Sequence, residues 1–137
     1  MGALGKAGRV VAVVSALLIP LFLLLPFLNK GVNAGRDYTG WELFSGADVI
    51  VTIDGLAVAA LAIGSVWLDD SPVYGGVIVA LGAFVFGHML PEEIDPVGAI
   101  GIGAWLVNLA ALGVMVGGVL MVLESLSRRR QAQSLEK

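Results

Sequence analysis

Asp54 is the residue that could do chemistry: it lies inside an otherwise apolar stretch, Ser45 to Trp67, SGADVIVTIDGLAVAALAIGSVW. A carboxyl group in such surroundings is costly to bury, so it marks a functional site unless a partner explains it. Binding a proton or an ion is the chemistry open to it. Asn108 is its counterpart, a single amide in a later apolar stretch. With helices starting at Ser45 and Pro96, Asp54 lies roughly 13 Å and Asn108 roughly 18 Å into their helices, at about 1.5 Å per residue. The comparable depths predict that the two meet, or share a water, inside one bundle.

The other polar groups suggest less. His88, Glu92 and Glu93, with Asp95 close by, form an outer polar cluster that invites a metal. Their spacing matches no zinc or calcium motif, a solvated acidic turn accounts for them, and no metal or other cofactor is assigned. Asp48 completes an S-x-x-D capping pattern with Ser45. Asp48 and Asp54 are six residues, about 240°, apart on a helix, so they cannot act as a carboxylate dyad. Asp69 and Asp70 precede Ser71-Pro72, a helix-start signal, and read as capping or solvated groups. The chain carries no Ser/His/Asp set, HExxH or phosphate loop, and no enzymatic activity is expected.

Four apolar stretches must position these residues. Of 137 residues, 58% are hydrophobic and 14% charged, against about 25% charged in an average soluble domain. That deficit of charge, with a mean hydropathy of +0.92, points to a chain that faces lipid. The net charge of −3 is spread over loops and ends, no basic stripe is interleaved with aromatics, and nucleic-acid binding has no support. Cysteine is absent, which removes disulfides and thiolate chemistry together.

The fold class expected is an all-α integral membrane protein, an antiparallel four-helix transmembrane bundle forming a single domain over residues 1–137, with spans near 9–28, 46–68, 72–90 and 96–123. The first is read as a retained span, because its apolar run exceeds the roughly 7 to 15 residues of a signal h-region. Pro20 and Pro26 should bend or thin its outer end. Residues 29–45 form an outer loop in which Tyr38 and Trp41 suit the membrane interface, and 124–137 form a cytoplasmic tail. Small residues mark the packing faces. Thr52, Gly55, Ala59 and Ala62 make one stripe, and Gly101, Ala104, Asn108, Ala111, Met115 and Gly118 another. Gly113 and Gly117 form a GxxxG pair for contact within the bundle or with a second copy. The second, third and fourth helices are expected to form the core, with the first outside.

The two ends of the chain hold six of the eight Lys and Arg, the outer loop two and the short turns none. By the positive-inside rule this predicts a multi-pass protein of the cell membrane with both termini cytoplasmic. The function expected is a non-enzymatic structural or accessory subunit. Its partners are the lipid bilayer and other membrane proteins or copies of itself. The alternative is a proton- or ion-coupled carrier or pore with Asp54 as its titrating site.

Overall fold

A computed structural model describes residues 2–28, 38–39, 47–67, 72–89 and 101–135. These described residues form four helices, α1 (Ala3–Phe22), α2 (Ala47–Gly64), α3 (Pro72–Met89) and α4 (Ile102–Leu135), and a two-stranded ribbon of β1 (Pro26–Leu28) with β2 (Tyr38–Thr39). Among the described residues, α1 and α4 are long and apolar enough to cross a membrane, and α2 and α3 are apolar but shorter.

The first helix, Ala3–Phe22, starts and ends about one and two-thirds turns earlier than the span expected near 9–28. Pro20 is tolerated within α1, but the helix runs out soon after it. The Leu24 and Leu25 amides close tight turns onto the Leu21 and Phe22 carbonyls. Leu25 precedes Pro26, a position that disfavours helix, and Pro26 opens β1, where its missing donor is tolerated. β1 then pairs antiparallel with β2 across an irregular register, Pro26 opposite Thr39 and Leu28 opposite Tyr38. These short strands are an addition to the all-helical expectation. At the other end of the chain, α4 does not stop where the apolar sequence stops; it continues as helix through the arginines to Leu135.

The core is organised around α4, which packs against α1 and α3; α1 also packs on α2, and α2 and α3 share a thinner interface. Each main pair runs in opposite directions. Along α1 and α4, Gly8 meets Gly117 and Ser15 meets Gly113; along α3 and α4, Gly75 meets Gly118 and Gly82 meets Ala111; along α1 and α2, Ala16 meets Gly55. The two main seams depend on absent side chains. A Cβ on Gly117 would stand 2.6 Å from the Gly8 carbonyl oxygen, and one on Gly75 would stand 2.7 Å from that of Gly118. Gly117 and Gly118 are neighbours about 100° apart, so one turn of α4 presents a glycine to each partner.

This corrects the expectation that the first helix lies outside the core. The buried residues of α1 are Gly5, Gly8, Arg9, Ala12, Ala16 and Ile19, a stripe at three- and four-residue spacing like those on α2 and α4. Large apolar side chains cover the opposite faces. Val10, Val14, Leu17 and Leu21 on α1, and Trp105, Leu109, Val116 and Leu123 on α4, are exposed. Glycine and alanine thus line the closest helix contacts, Ile19, Leu23, Ile78 and several valines fill the rest of the core, and many large apolar side chains remain exposed.

Candidate functional site

Asp54 sits on α2, one residue before the glycine that α1 covers. Gly55 approaches the Ala16 carbonyl so closely that a Cβ there would lie 2.9 Å from it, and successive residues on a helix are turned by about 100°. Asp54 is consequently turned off the α1 contact, on the flank of the buried stripe Val51, Gly55, Val58, Ala62 and Ser65. Its Oδ2 is buried and accepts no hydrogen bond from the described residues. Thr52 Oγ1 is in the same condition, but two residues along a helix put it on the other flank.

Asn108 is elsewhere. Its Nδ2 donates to the Ala104 carbonyl one turn back at 3.1 Å, and its Oδ1 is buried without a donor among the described residues. Nine residues, about two and a half turns, separate it from Gly117. Since Gly117 faces α1, Asn108 faces the opposite way, at the edge of the α3 contact and beside the exposed apolar face. Helices α2 and α4 are not one of the principal packed pairs. The expected meeting of Asp54 and Asn108 is therefore corrected. Depth along a helix follows from counting residues, but the angle around it places the two groups on different sides of the bundle.

His88, in the last turn of α3, is exposed and stacks on Phe84 one turn earlier, with centroids 5.5 Å apart and planes 13° from parallel. Glu92 and Glu93 lie outside the described residues, as do Ser45 of the capping pattern and most of the 29–45 loop. Among the described residues no three His, Cys, Asp or Glu side chains gather as metal ligands. The packing glycines are all at close contacts or buried: Gly55 against α1, Gly113 and Gly117 against α1, and Gly101 buried just before α4.

The most developed polar arrangement is one that sequence reasoning misses. Glu124, 7% exposed, reaches the start of α1 and accepts hydrogen bonds from the Gly2 and Gly5 amides, while Arg128 one turn on pairs with the same carboxylate. The first amides of a helix have no partner within it and carry partial positive charge, so a carboxylate there is a cap supplied from another helix. A Cβ on Gly5 would come within 2.9 Å of the carboxyl group, so glycine is what admits it. Burial pushes the Glu124 carboxyl up, but the Gly5 and Gly2 amides and the Arg128 guanidinium outweigh it and hold the group below its ordinary value of 4.5. Beside it, Arg9, 8% exposed, donates from Nε to Ser65 Oγ at 2.7 Å and from Nη2 to the Ser65 carbonyl at 3.2 Å. Ser65 Oγ in turn donates to the Ala62 carbonyl at 2.8 Å. A cation thus meets the carbonyl end of α2, where the helix dipole favours it.

From sequence alone, Arg9 reads as a basic flank of the first span and Glu124 as the first residue of a solvated tail. Two signals point past that reading. Gly5, Gly8, Ala12 and Ala16 carry the packing period straight past Arg9, and Glu124 stands four residues before Arg128 at the end of an apolar run. Comparison of the chain with protein-family models, curated proteins and solved structures found no match.

Proposed function

We propose that the chain is a multi-pass protein of the cell membrane, an antiparallel four-helix transmembrane bundle with both termini cytoplasmic. Its role is that of a non-enzymatic accessory subunit packed against other membrane proteins or copies of itself. The observation that carries this reading is the apolar outer surface: Val14, Leu17, Ile53, Leu56, Phe84, Trp105 and Leu109 are exposed, while glycine and alanine line the seams between helices. Lipid tails or the helices of a partner are the surroundings that suit such a surface. The cap at Glu124 and the Arg9–Ser65 pair tie together the end that holds both basic flanks, which supports a common side for the two termini.

The second reading, a proton- or ion-coupled carrier or pore, is favoured by Asp54, whose buried Oδ2 has no donor among the described residues. One pair of experiments separates them. Solubilisation in mild detergent followed by purification should yield a defined complex with a second membrane protein or with further copies if the accessory reading holds. Reconstituted into liposomes under a pH gradient, the wild type should then pass no more protons than Asp54→Asn. A flux present in the wild type and absent in the variant, with equal insertion of both, would replace the accessory reading by the carrier.

A further inference from the structure

The last turns of α4 carry a group of charges that the readings above use only as a mark of topology. At about 1.5 Å per residue the 34 residues of α4 extend about 51 Å, well beyond a hydrocarbon layer of about 30 Å. The surplus lies at its C-terminal end, where Arg128, Arg129 and Arg130 follow the buried Glu124. Arg129 and Arg130 are exposed, and so is Lys6 on the first turns of α1. The cap from Glu124 to Gly2 and Gly5 fixes these positive groups at one end of the molecule. Among the described residues Glu124 is the one carboxylate at that end, and it is already engaged.

Two features of helix geometry decide what such a group can bind. Consecutive residues point about 100° apart, so three adjacent arginines fan around the helix and cannot close on one small anion. They suit many anions spread over a surface. Side chains of a helix also tilt toward its N-terminus. On the end of α4 that direction leads back toward the apolar part of the bundle, so the guanidinium groups reach down to headgroup level. We propose that Arg129 and Arg130, with Lys6 at the same end of the bundle, bind the phosphates of anionic phospholipids in the leaflet at this end as a collar. The inference rests on the membrane reading above.

The test uses the full chain in washed membranes. After an alkaline carbonate wash the chain should stay in the pellet; release to the supernatant would overturn the membrane reading and the collar with it. The protein is then reconstituted in nanodiscs of mixed phosphatidylglycerol and phosphatidylcholine, and the lipids it retains on gentle extraction are counted by mass spectrometry. The wild type should retain phosphatidylglycerol above its bulk share. The Arg129→Gln/Arg130→Gln double variant should lose that preference by roughly fivefold or more, and Arg129→Lys/Arg130→Lys should keep most of it. High salt should weaken the preference in the wild type without any substitution. A pelleted wild type that retains the two lipids in their bulk ratio, or a preference equal in the wild type and the glutamine variant, overturns the collar alone.

Discussion

Two levels of the molecule treat buried polar groups in opposite ways. At the end shared by the start of α1 and the late turns of α4, Glu124 and Arg9 are more than nine-tenths buried and engaged, the carboxylate by two backbone amides and Arg128, the guanidinium by Ser65. Farther along the bundle, Thr52, Asp54 and Asn108 each bury an oxygen that no donor among the described residues reaches. An engaged charge in apolar surroundings holds helices together, and removing one member leaves the other uncompensated. A group left without a donor gives the fold little in return for its desolvation. The first level is architecture, and the second holds buried oxygens whose hydrogen-bonding capacity no described residue uses.

The largest expected effect tests the frame on which both levels stand. Gly117→Val would drive a side chain into the Gly8 carbonyl and the Ala12 amide, both within 2.7 Å of the position a Cβ would take. Backbone cannot yield as a flexible side chain can, and overpacking of this kind costs about 3 kcal/mol. Thermal unfolding in mild detergent should show a large fall in midpoint, with α1 separating from α4 before the rest of the bundle melts. A melting temperature equal to wild type would mean that α1 does not pack on α4 through this seam.

Next in size is Glu124→Gln, which keeps the shape of the cap and removes its charge. Hydrogen bonds to a charged group contribute about 2 kcal/mol, so the variant should be destabilised by about that much at neutral pH. The pH dependence follows from the lowered carboxyl. The folded chain binds this proton less readily than the unfolded chain, so the stabilisation is complete above the ordinary value of 4.5 and is lost as pH falls through and below it. The gap between wild type and variant should close on acidification below about pH 5. A gap independent of pH would place the effect in packing and remove the cap from the architectural level.

The same two levels show what can be read from sequence. Helix number is legible because it rests on a local rule, apolar length, that needs no partner. The engagement of Glu124 is not legible, since its partners are amides at Gly2 and Gly5, more than a hundred residues away, and an amide has no signature in sequence. Asn108 is misplaced for a related reason. Its depth can be counted from a helix start, but the side it faces is fixed by which glycine meets which helix, and Gly117 and Gly118 look alike until α1 and α3 are in place. The first helix is expected outside the core because its apolar composition hides the Gly8, Ala12 and Ala16 stripe.

Asp54→Asn is the variant that sharpens the comparison most directly. Because Oδ2 accepts nothing from the described residues, replacing the carboxyl by an amide of equal size should change stability by less than about 1 kcal/mol, in contrast to the loss expected at Glu124. Melting of the two variants side by side in one detergent measures that contrast. A loss at Asp54 as large as at Glu124 would show that the carboxyl is engaged in the folded protein, and would move it from the second level to the first.

The smallest effect belongs to a glycine outside both levels. Gly76 is the neighbour of Gly75, which α4 covers, but it is exposed, and a Cβ placed on it would meet nothing within 4 Å. In a helix interior, glycine in place of alanine costs roughly 0.5 to 1 kcal/mol through the freedom it gives the unfolded chain. Gly76→Ala should therefore raise the melting temperature slightly, where the same change at Gly75, with the Gly118 carbonyl 2.7 Å from the new carbon, should lower it. The pair of opposite signs one residue apart locates the α3–α4 seam independently of any polar group. If Gly76→Ala destabilises instead, that face of α3 is covered by something other than lipid or detergent, and a second copy of the chain, visible as a shift in mass on sizing, becomes the first thing to look for.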